Sequence, residues 1–432
     1  SLASIIPALA IVKIMDKWTA PELNEKNRDL AGMMLLTCAF FTGLAVTLRM
    51  DMLMCMFIVL ALRTFYRMYT SSEIDKLTAW LFPVFIFLAV FSKGPVGLLI
   101  PLCSTLAFLL YKRKIREFGK YWGWRTWCVL LTGCLIWFGA VFLEGGKEYL
   151  NNLLFHQTLD RAVNSFRHKE PFYYYGLSIW YSIAPWSFIV IGLICAALTK
   201  KRILTDLQRF YCTVAITTFV VLSIISSKLE IYLLPAFPFM VYLAVLFLPQ
   251  YKDRTWINIL FALSAALFIP ALPAVIFLSL HGNTVYLGHW AVYASAAVLT
   301  ANGLLALYIR FRKQKDLLFG IRMLAIGFTC ALFVLAWALP AINPWLGYKD
   351  LCQKAHEIAE KEGAANIAVW NLSKAENMDA YLGKPVEIIP EQNMESLRLY
   401  HQTVLMLHKE DLKFFEGNEF WAVGPYAVIF LK

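Results

Sequence analysis

The sequence predicts an all-α polytopic membrane protein with about twelve transmembrane helices and a small C-terminal α/β domain. Hydrophobic residues make up 59% of the 432 residues and charged residues only 16%, which is too few to cover the surface of a soluble protein this long. Apolar runs of about 17 to 25 residues recur up to Pro340. The segment after Pro340 has a different, more polar pattern.

The candidate spans include some apolar runs that are short or interrupted. Their centres lie near Pro7, Thr42, Val59, Ile86, Ser104, Leu135, Trp186, Thr218, Phe239, Ala266, Ala297 and Phe328. The connectors YKRKIREFGK, TKKR, YKDR and RFRKQK are strongly basic and fall consistently on one side, which marks that side as cytoplasmic. The alternate connectors, including the long loop 144–172, are therefore predicted to face outward.

The charge distribution excludes a nucleic-acid partner and favours membrane lipids. Residues 1–340 contain 31 basic and 16 acidic residues, whereas residues 341–432 contain 9 basic and 13 acidic ones. A basic membrane part is what the positive-inside rule and anionic headgroups select. Most of the nine cysteines lie in apolar runs, so a secreted disulfide framework is also excluded.

The C-terminal segment 341–432 is predicted to be a separate periplasmic α/β domain, after a transmembrane domain over 1–340. Its polar helical stretch KDLCQKAHEIAEKEG is followed by short β-rich runs such as NIAVWN, TVLMLH and YAVIF. The alternation of sides also places Ser1 outside, although no export signal precedes the first apolar run. We therefore expect that at least one span lies upstream of this sequence.

Ionisable residues at span ends are the candidates for function, because charges are costly within the membrane. Four clusters fall on the predicted outer face. They are Arg49 with Asp51; Lys93 in SKGP; the loop residues His156, Gln157, Asp160, Arg161, Arg167, His168, Lys169 and Glu170; and Lys228 with Glu230 and Tyr232. Each also has a purely structural interpretation, as a turn-capping ion pair, a snorkelling lysine, a solvated loop or a Lys–Glu pair.

The convergence of these clusters on one side predicts a site for an anionic ligand. A phosphate attached to a long lipid fits both the cations and the apolar grooves between spans. If the phosphate leaves from a sugar carbon, cations stabilise the charge that develops on it. A carboxylate such as Asp51 can act there as a base or orient a partner.

Three motifs then resemble a known family. SKGPVGLLIP, DRAVNSFRHKEPFYYY and SSKLEIYLLPAFP, in this order and spacing, are similar to landmarks of the GT-C type polyprenyl-phosphate-sugar glycosyltransferases, which include the aminoarabinose lipid A transferase and the protein mannosyltransferases. The resemblance covers most of residues 1–250. It implies a GT-C-like bacterial inner-membrane enzyme that moves a hexosyl or pentosyl group from undecaprenyl phosphate to a periplasmic acceptor, lipid A or another envelope glycolipid.

The resemblance also implies roles for individual residues. Arg161 resembles the arginine that holds the lipid phosphate and Tyr232 the tyrosine that lines the same site, while Lys93 and Lys228 match lysines at the cavity mouth. Asp51, which matches an acidic residue at a span start, is the predicted catalytic residue. The predicted substrate-binding residues are Lys93, Arg161, Lys228, Tyr232 and His168.

The sequence departs from the family pattern in two places. In the aminoarabinose branch a Glu-His pair precedes the loop arginine, whereas Gln157 and Thr158 stand there in this sequence. No cofactor is therefore implied with certainty, and a divalent metal stays open as an option. The family's main catalytic aspartate lies in the first outer loop, a region that we expect upstream of Ser1.

Other functions would require different sequence features. A transporter or flippase of an anionic envelope precursor would carry ionisable residues at mid-membrane and two related halves, neither of which the sequence shows. A protein O-mannosyltransferase-like enzyme, and a non-catalytic subunit or receptor whose outer tail binds a partner, remain further alternatives.

Overall fold

The structure is a computed structural model that describes residues 2–151, 170–199, 203–225, 228–281, 285–364, 366–389, 401–415 and 417–431. Its first helices are α1 Leu2–Thr19, α2 Glu25–Leu36, α3 Ala39–Val46, α4 Asp51–Thr70, α5 Lys76–Lys93, α6 Val96–Tyr111, α7 Phe118–Tyr121, α8 Trp124–Asn151, α9 Tyr174–Ser182 and α10 Ser187–Thr199. The later helices are α11 Asp206–Ile224, α12 Phe237–Phe247, α13 Thr255–Ala266, α14 Ala271–His281, α15 Trp290–Phe311, α16 Leu317–Leu335, α17 Leu339–Leu346, α18 Lys349–Glu362 and α19 Asp379–Leu382. The strands are β1 Asn366–Trp370, β2 Glu387–Ile389, β3 Thr403–His408, β4 Phe420–Val423 and β5 Tyr426–Leu431.

The predicted fold class is confirmed, because a polytopic helical part is followed by a small sheet domain. In the described residues, eight helical segments are long and apolar enough to cross a membrane, or nine if the bent pair α2 and α3 forms one span. The eight segments contain eight of the twelve predicted centres. The number of full spans is thus lower than the predicted twelve.

The other four centres lie in helices that are charged, bent or short. The helix around Pro7 carries Lys13, Asp16 and Lys17, and the helices around Thr42 meet at an angle of 70°. Helix α6 has only 16 residues, and Trp186 lies in the break between α9 and α10. The hydropathy of a sequence does not show where the backbone turns. It therefore predicts one complete span where the structure has a shorter or bent helix.

The chain forms two compact units, residues 1–271 with 298–329 and residues 272–297 with 330–432. One hydrophobic core runs through the first unit and contains buried aromatic residues from several helices, including Phe65, Phe210, Phe237 and Trp186. This unit contains every described residue of the predicted site. The predicted domain boundary at Pro340 remains a prediction.

Helices α4, α5 and α6 form the part of the first unit that matters for the site. They run up and down with short connections, and α5 packs against both of the others. Gly94 ends α5 at a φ of 92°, a left-handed conformation that glycine adopts without steric cost. At Gly97 the next helix comes so close that an added Cβ would lie 2.4 Å from the carbonyl carbon of Ala89.

The second unit contains a five-stranded sheet with the order β2-β1-β3-β5-β4. Strands β2, β1 and β3 are parallel, whereas β5 is antiparallel to β3 and β4. Alternate residues of β1 and β3 enter two separate hydrophobic clusters, so this sheet is buried on both faces. Helix α18 covers one face with Leu351, Cys352, Ala355 and Ile358, an apolar stripe at helical spacing.

Substitution of Gly97 by alanine is expected to destabilise the protein, because the new methyl group would meet the backbone of α5. Overpacking of this kind costs about 1–3 kcal/mol, more than the helix propensity gained from alanine. We expect Gly97→Ala to lower the apparent Tm by several degrees in a thermal-shift measurement in detergent. Gly43→Ala, in a helix where an added Cβ meets nothing within 4 Å, is the matched control and should leave Tm unchanged or raise it slightly. Equal Tm values for the two variants would contradict the close approach.

Candidate active site at one end of the helical bundle

The helical hairpin of α4 and α5 places Asp51 beside Lys93. Asp51 is the first residue of α4 and Lys93 is the last residue of α5, so the antiparallel arrangement brings them to the same end. A carboxylate is favoured at a helix N-terminus and a cation at a helix C-terminus. Both charges therefore lie where the helix dipoles stabilise them.

Asp51 accepts hydrogen bonds from two cations. Nε of Arg49 donates to its Oδ2 over 3.1 Å, and Nζ of Lys93 donates to its Oδ1. The Asp51 side chain is only 3% exposed, whereas those of Arg49 and Lys93 are 48% and 24% exposed. These charge-assisted hydrogen bonds offset the cost of burying the carboxylate away from water.

Tyr232 lies against the other side of the Lys93 ammonium group. The distance from Nζ to the centre of the tyrosine ring is 4.7 Å, which is a cation–π contact. Tyr232 belongs to a 3₁₀ segment, Glu230–Ala236, that immediately precedes α12. The ammonium group is thus held between a carboxylate from α4 and an aromatic ring from this segment.

Lys228 contributes a second, more deeply buried cation. The residue is 4% exposed, and its Nζ donates a hydrogen bond to the backbone carbonyl of Glu170 over 2.9 Å. Within the part of the chain that the structure describes, no carboxylate forms an ion pair with it. A buried ammonium group that has no carboxylate partner is stabilised by an anionic ligand that binds beside it.

The structure therefore brings three predicted site residues, Asp51, Lys93 and Tyr232, into direct contact and places Lys228 four positions before Tyr232. Arg49, Lys93 and Lys228 supply three cations, and Asp51 and Glu230 supply two carboxylates, so one positive charge is in excess among these residues, which suits a phosphate. Arg161 and His168 lie in the stretch 152–169, outside the described residues. In the described ranges no group of three or more His, Cys, Asp and Glu residues could hold a metal ion.

No family model matches the sequence. An uncharacterized protein of Aquifex aeolicus is 28% identical over 228 residues, which cover 52% of this chain and 44% of that protein. The undecaprenyl phosphate-alpha-4-amino-4-deoxy-L-arabinose arabinosyl transferase of Aeromonas salmonicida is 24% identical over 281 residues, which cover 60% of this chain and 49% of the relative. The chain spans about half the length of the curated relatives it matches.

The solved structures extend the match to nearly the whole chain. The crystal structure of ArnT from Cupriavidus metallidurans bound to undecaprenyl phosphate aligns with a TM-score of 0.77 over 99% of this chain and 83% of that chain, at 17% identity. The apo state of the same protein aligns with a TM-score of 0.76 at 18% identity. The chain has a GT-C fold. The sequence matches and the shared fold agree with the family resemblance of the three motifs.

Several residues that contact the site were not among the candidates predicted from the sequence. Ser4, near the start of α1, donates a hydrogen bond to the carbonyl of Thr47 over 2.6 Å and accepts one from the Arg49 amide. It ties α1 to the loop that leads into Asp51. Tyr181 in α9 donates a hydrogen bond to Glu230 over 2.9 Å. The sequence pattern had suggested a Lys–Glu pair between Lys228 and Glu230, but each of them has another partner.

Substitutions of Asp51 and Lys93 are expected to have non-additive effects on the free energy of unfolding. Removing one partner of a buried pair leaves a charge without its counterion, at a cost of about 3–5 kcal/mol, whereas removing both costs less than the sum. We expect the single variants Asp51→Asn and Lys93→Met to lower stability and the double variant to recover at least about 1 kcal/mol of the sum. Equilibrium unfolding in mixed micelles measures this coupling.

The exposed pair Lys354–Glu357 provides the control cycle. Its side chains are 38% and 66% exposed, so its coupling should be below about 0.5 kcal/mol. A coupling no larger for Asp51 and Lys93 than for this pair would show that the buried contact does not contribute to stability.

Proposed function

We propose that this inner-membrane protein is a glycosyltransferase that moves a sugar from undecaprenyl phosphate, or a similar polyprenyl phosphate, to lipid A or another envelope glycolipid. The observation that carries the proposal is the contact of Lys93 with Asp51 and Tyr232 in a GT-C fold, with the buried Lys228 next to the segment that carries Tyr232. Relatives named as arabinosyl transferases and a structural match bound to undecaprenyl phosphate support the same reaction. We place the site on the periplasmic side.

The reaction needs groups that stabilise the negative charge that develops on the leaving phosphate. When the bond between the anomeric carbon of the sugar and the phosphate oxygen breaks, the electron pair goes to the oxygen. In our proposal the ammonium groups of Lys93 and Lys228 hold the phosphate before this step and stabilise the added charge during it. Arg161 and His168, on the long loop, complete the proposed phosphate and sugar site.

The role that we propose for Asp51 differs from that of the two lysines. Its carboxylate accepts hydrogen bonds from both Arg49 and Lys93, so both of its oxygens already have cationic partners. We infer that it orients the Lys93 ammonium group toward the donor phosphate. An acceptor phosphate on lipid A is already ionised and needs little base catalysis, which is consistent with this role.

The donor lipid would lie along the apolar surfaces of the spans. Its polyprenyl chain needs no polar contacts, so the charged cluster at the end of the bundle would hold only the headgroup. Both pentosyl and hexosyl groups fit this arrangement of charges.

Asp51→Asn is expected to reduce turnover by about a hundredfold or more, because Lys93 loses the carboxylate that orients it. Binding of the donor should change by less than about threefold, since Lys93 and Lys228 both remain in place to bind its phosphate. The measurement is transfer of radiolabelled sugar from a polyprenyl-phosphate donor to lipid A in proteoliposomes, with donor binding measured in parallel. Full turnover of Asp51→Asn would show that this residue only caps the turn before α4.

Lys228→Met is expected to raise the KM for the donor by about tenfold or more, because a charge-assisted contact with the phosphate is lost. Arg161→Ala should have a similar effect. Lys252→Met, which removes an exposed lysine that follows α12, is the control and should leave KM unchanged. If Lys228→Met and Lys252→Met behave alike in the same transfer assay, the phosphate-binding role of Lys228 is wrong.

A further inference from the structure

The segment that joins α6 to α8, residues 112–125, has a concentration of positive charge that the proposed reaction does not use. It contains six basic residues and one acidic residue. Two of the six are paired, Lys112 with Asp206 over 2.7 Å and Lys114 with Glu117 over 3.4 Å. The other four are exposed, and no carboxylate of the described residues forms an ion pair with them; they are Arg113, Arg116, Lys120 and Arg125.

This basic segment lies at the end of the bundle opposite to Asp51 and Lys93. Helix α4 begins at Asp51 and has 20 residues, so its two ends are about 30 Å apart. The ring of Tyr69, in the last turn of α4, lies 5.1 Å from Nζ of Lys114 in the basic segment. A ligand bound to the basic segment would therefore be separate from the proposed donor site. The basic connectors predict that this end is cytoplasmic.

Buried aromatic side chains hold the basic segment against the bundle. The Trp122 indole donates a hydrogen bond to the Thr105 hydroxyl in α6 over 2.9 Å, and the Phe118 ring stacks on the indole with the ring centres 6.0 Å apart. Trp122 is 2% exposed, and Tyr121 beside it is also buried. The exposed cations on both sides of these rings are therefore attached to a backbone whose position is fixed by packing.

Exposed tryptophans lie next to the same cations. Trp124, at the start of α8, is 65% exposed, and its ring meets that of Trp80, near the start of α5, edge to face at 5.9 Å. The guanidinium carbon of Arg125 lies 5.7 Å from the centre of the Trp124 ring. Tryptophan is enriched at the level of the lipid headgroups, because the indole is apolar on one side and can hydrogen-bond on the other. The phosphodiester groups of phospholipids lie at this level.

We propose that the basic segment, together with Trp80, is a binding surface for the headgroup of an anionic phospholipid. The phosphodiester accepts charge-assisted hydrogen bonds from the exposed cations, and the indoles of Trp80 and Trp124 pack against the glycerol and the first methylene groups of the acyl chains. A zwitterionic phospholipid carries its own ammonium group near the phosphate. Four cations without carboxylate partners therefore favour a headgroup with a net negative charge.

The test measures the binding of a dansyl-labelled phosphatidylglycerol to the full-length protein in phosphatidylcholine vesicles, through energy transfer from the tryptophans of the protein. We expect the wild-type protein to bind this lipid at a lower mole fraction than dansyl-labelled phosphatidylcholine. The double variant Arg116→Gln/Lys120→Gln should weaken the binding of the labelled phosphatidylglycerol by about tenfold or more, because two charge-assisted contacts with the phosphodiester are lost.

Two further double variants separate a specific site from general attraction and from misfolding. Lys252→Gln/Arg254→Gln removes the same number of exposed cations from the basic connector that follows α12, and should change the binding by less than about twofold. Arg116→Lys/Lys120→Arg keeps both charges and should retain the wild-type binding.

Three results would overturn the inference. The first is an equal loss in the two glutamine double variants, because the lipid would then be attracted to basic connectors in general. The second is equal binding of the two labelled lipids to the wild-type protein. The third is displacement of the labelled lipid by unlabelled undecaprenyl phosphate but not by unlabelled phosphatidylglycerol, which would assign the surface to the donor carrier. None of these measurements uses sugar transfer, so the inference and the proposed function can fail separately.

Discussion

The carboxylate of Asp51 is the constraint on which the rest of the site depends. It joins Arg49, before α4, to Lys93, at the end of α5, in a place where it has almost no contact with water. Without it, two cations would lie close together at the end of an apolar bundle, where repulsion is weakly screened. The same Lys93 ammonium group that binds Asp51 also lies over the Tyr232 ring, so the ion pair and the aromatic contact share one cation.

The helix ends supply the geometry that this ion pair requires. The left-handed backbone at Gly94 stops α5 immediately after Lys93, and the missing side chain at Gly97 lets α6 pack closely on α5. The Ser4 hydroxyl fixes the loop before Asp51. Gly94, Gly97 and Ser4 therefore help to position the charged side chains of Asp51 and Lys93. A list of the charged residues alone would miss these contributions to the geometry of the site.

Hydropathy predicts most of the fold, because the long apolar runs near Val59 and Thr218 each form one continuous helix long enough to cross a membrane. The breaks near Thr37 and Trp186 could not be predicted in this way, because they depend on tertiary packing; the Trp186 indole, for example, donates a hydrogen bond to Thr37. The alternation of basic connectors predicted that Asp51, Lys93 and Tyr232 lie at the same end of the bundle, and they are in contact there. Other partners were not predictable, because Tyr181 and Glu230 are 49 residues apart in sequence and no local pattern relates them.

The mixed sheet of the second unit has a consequence for the behaviour of the protein at high density in a membrane. In the described residues its two edge strands are short, with three residues in β2 and four in β4, and Lys384 and Pro385 lie three and two positions before β2. The long apolar strands β1 and β3 lie inside the sheet, where their backbone groups are already paired. Short edges flanked by lysine and proline are poor templates for another chain. Neighbouring copies can therefore crowd together without joining their sheets into an intermolecular aggregate.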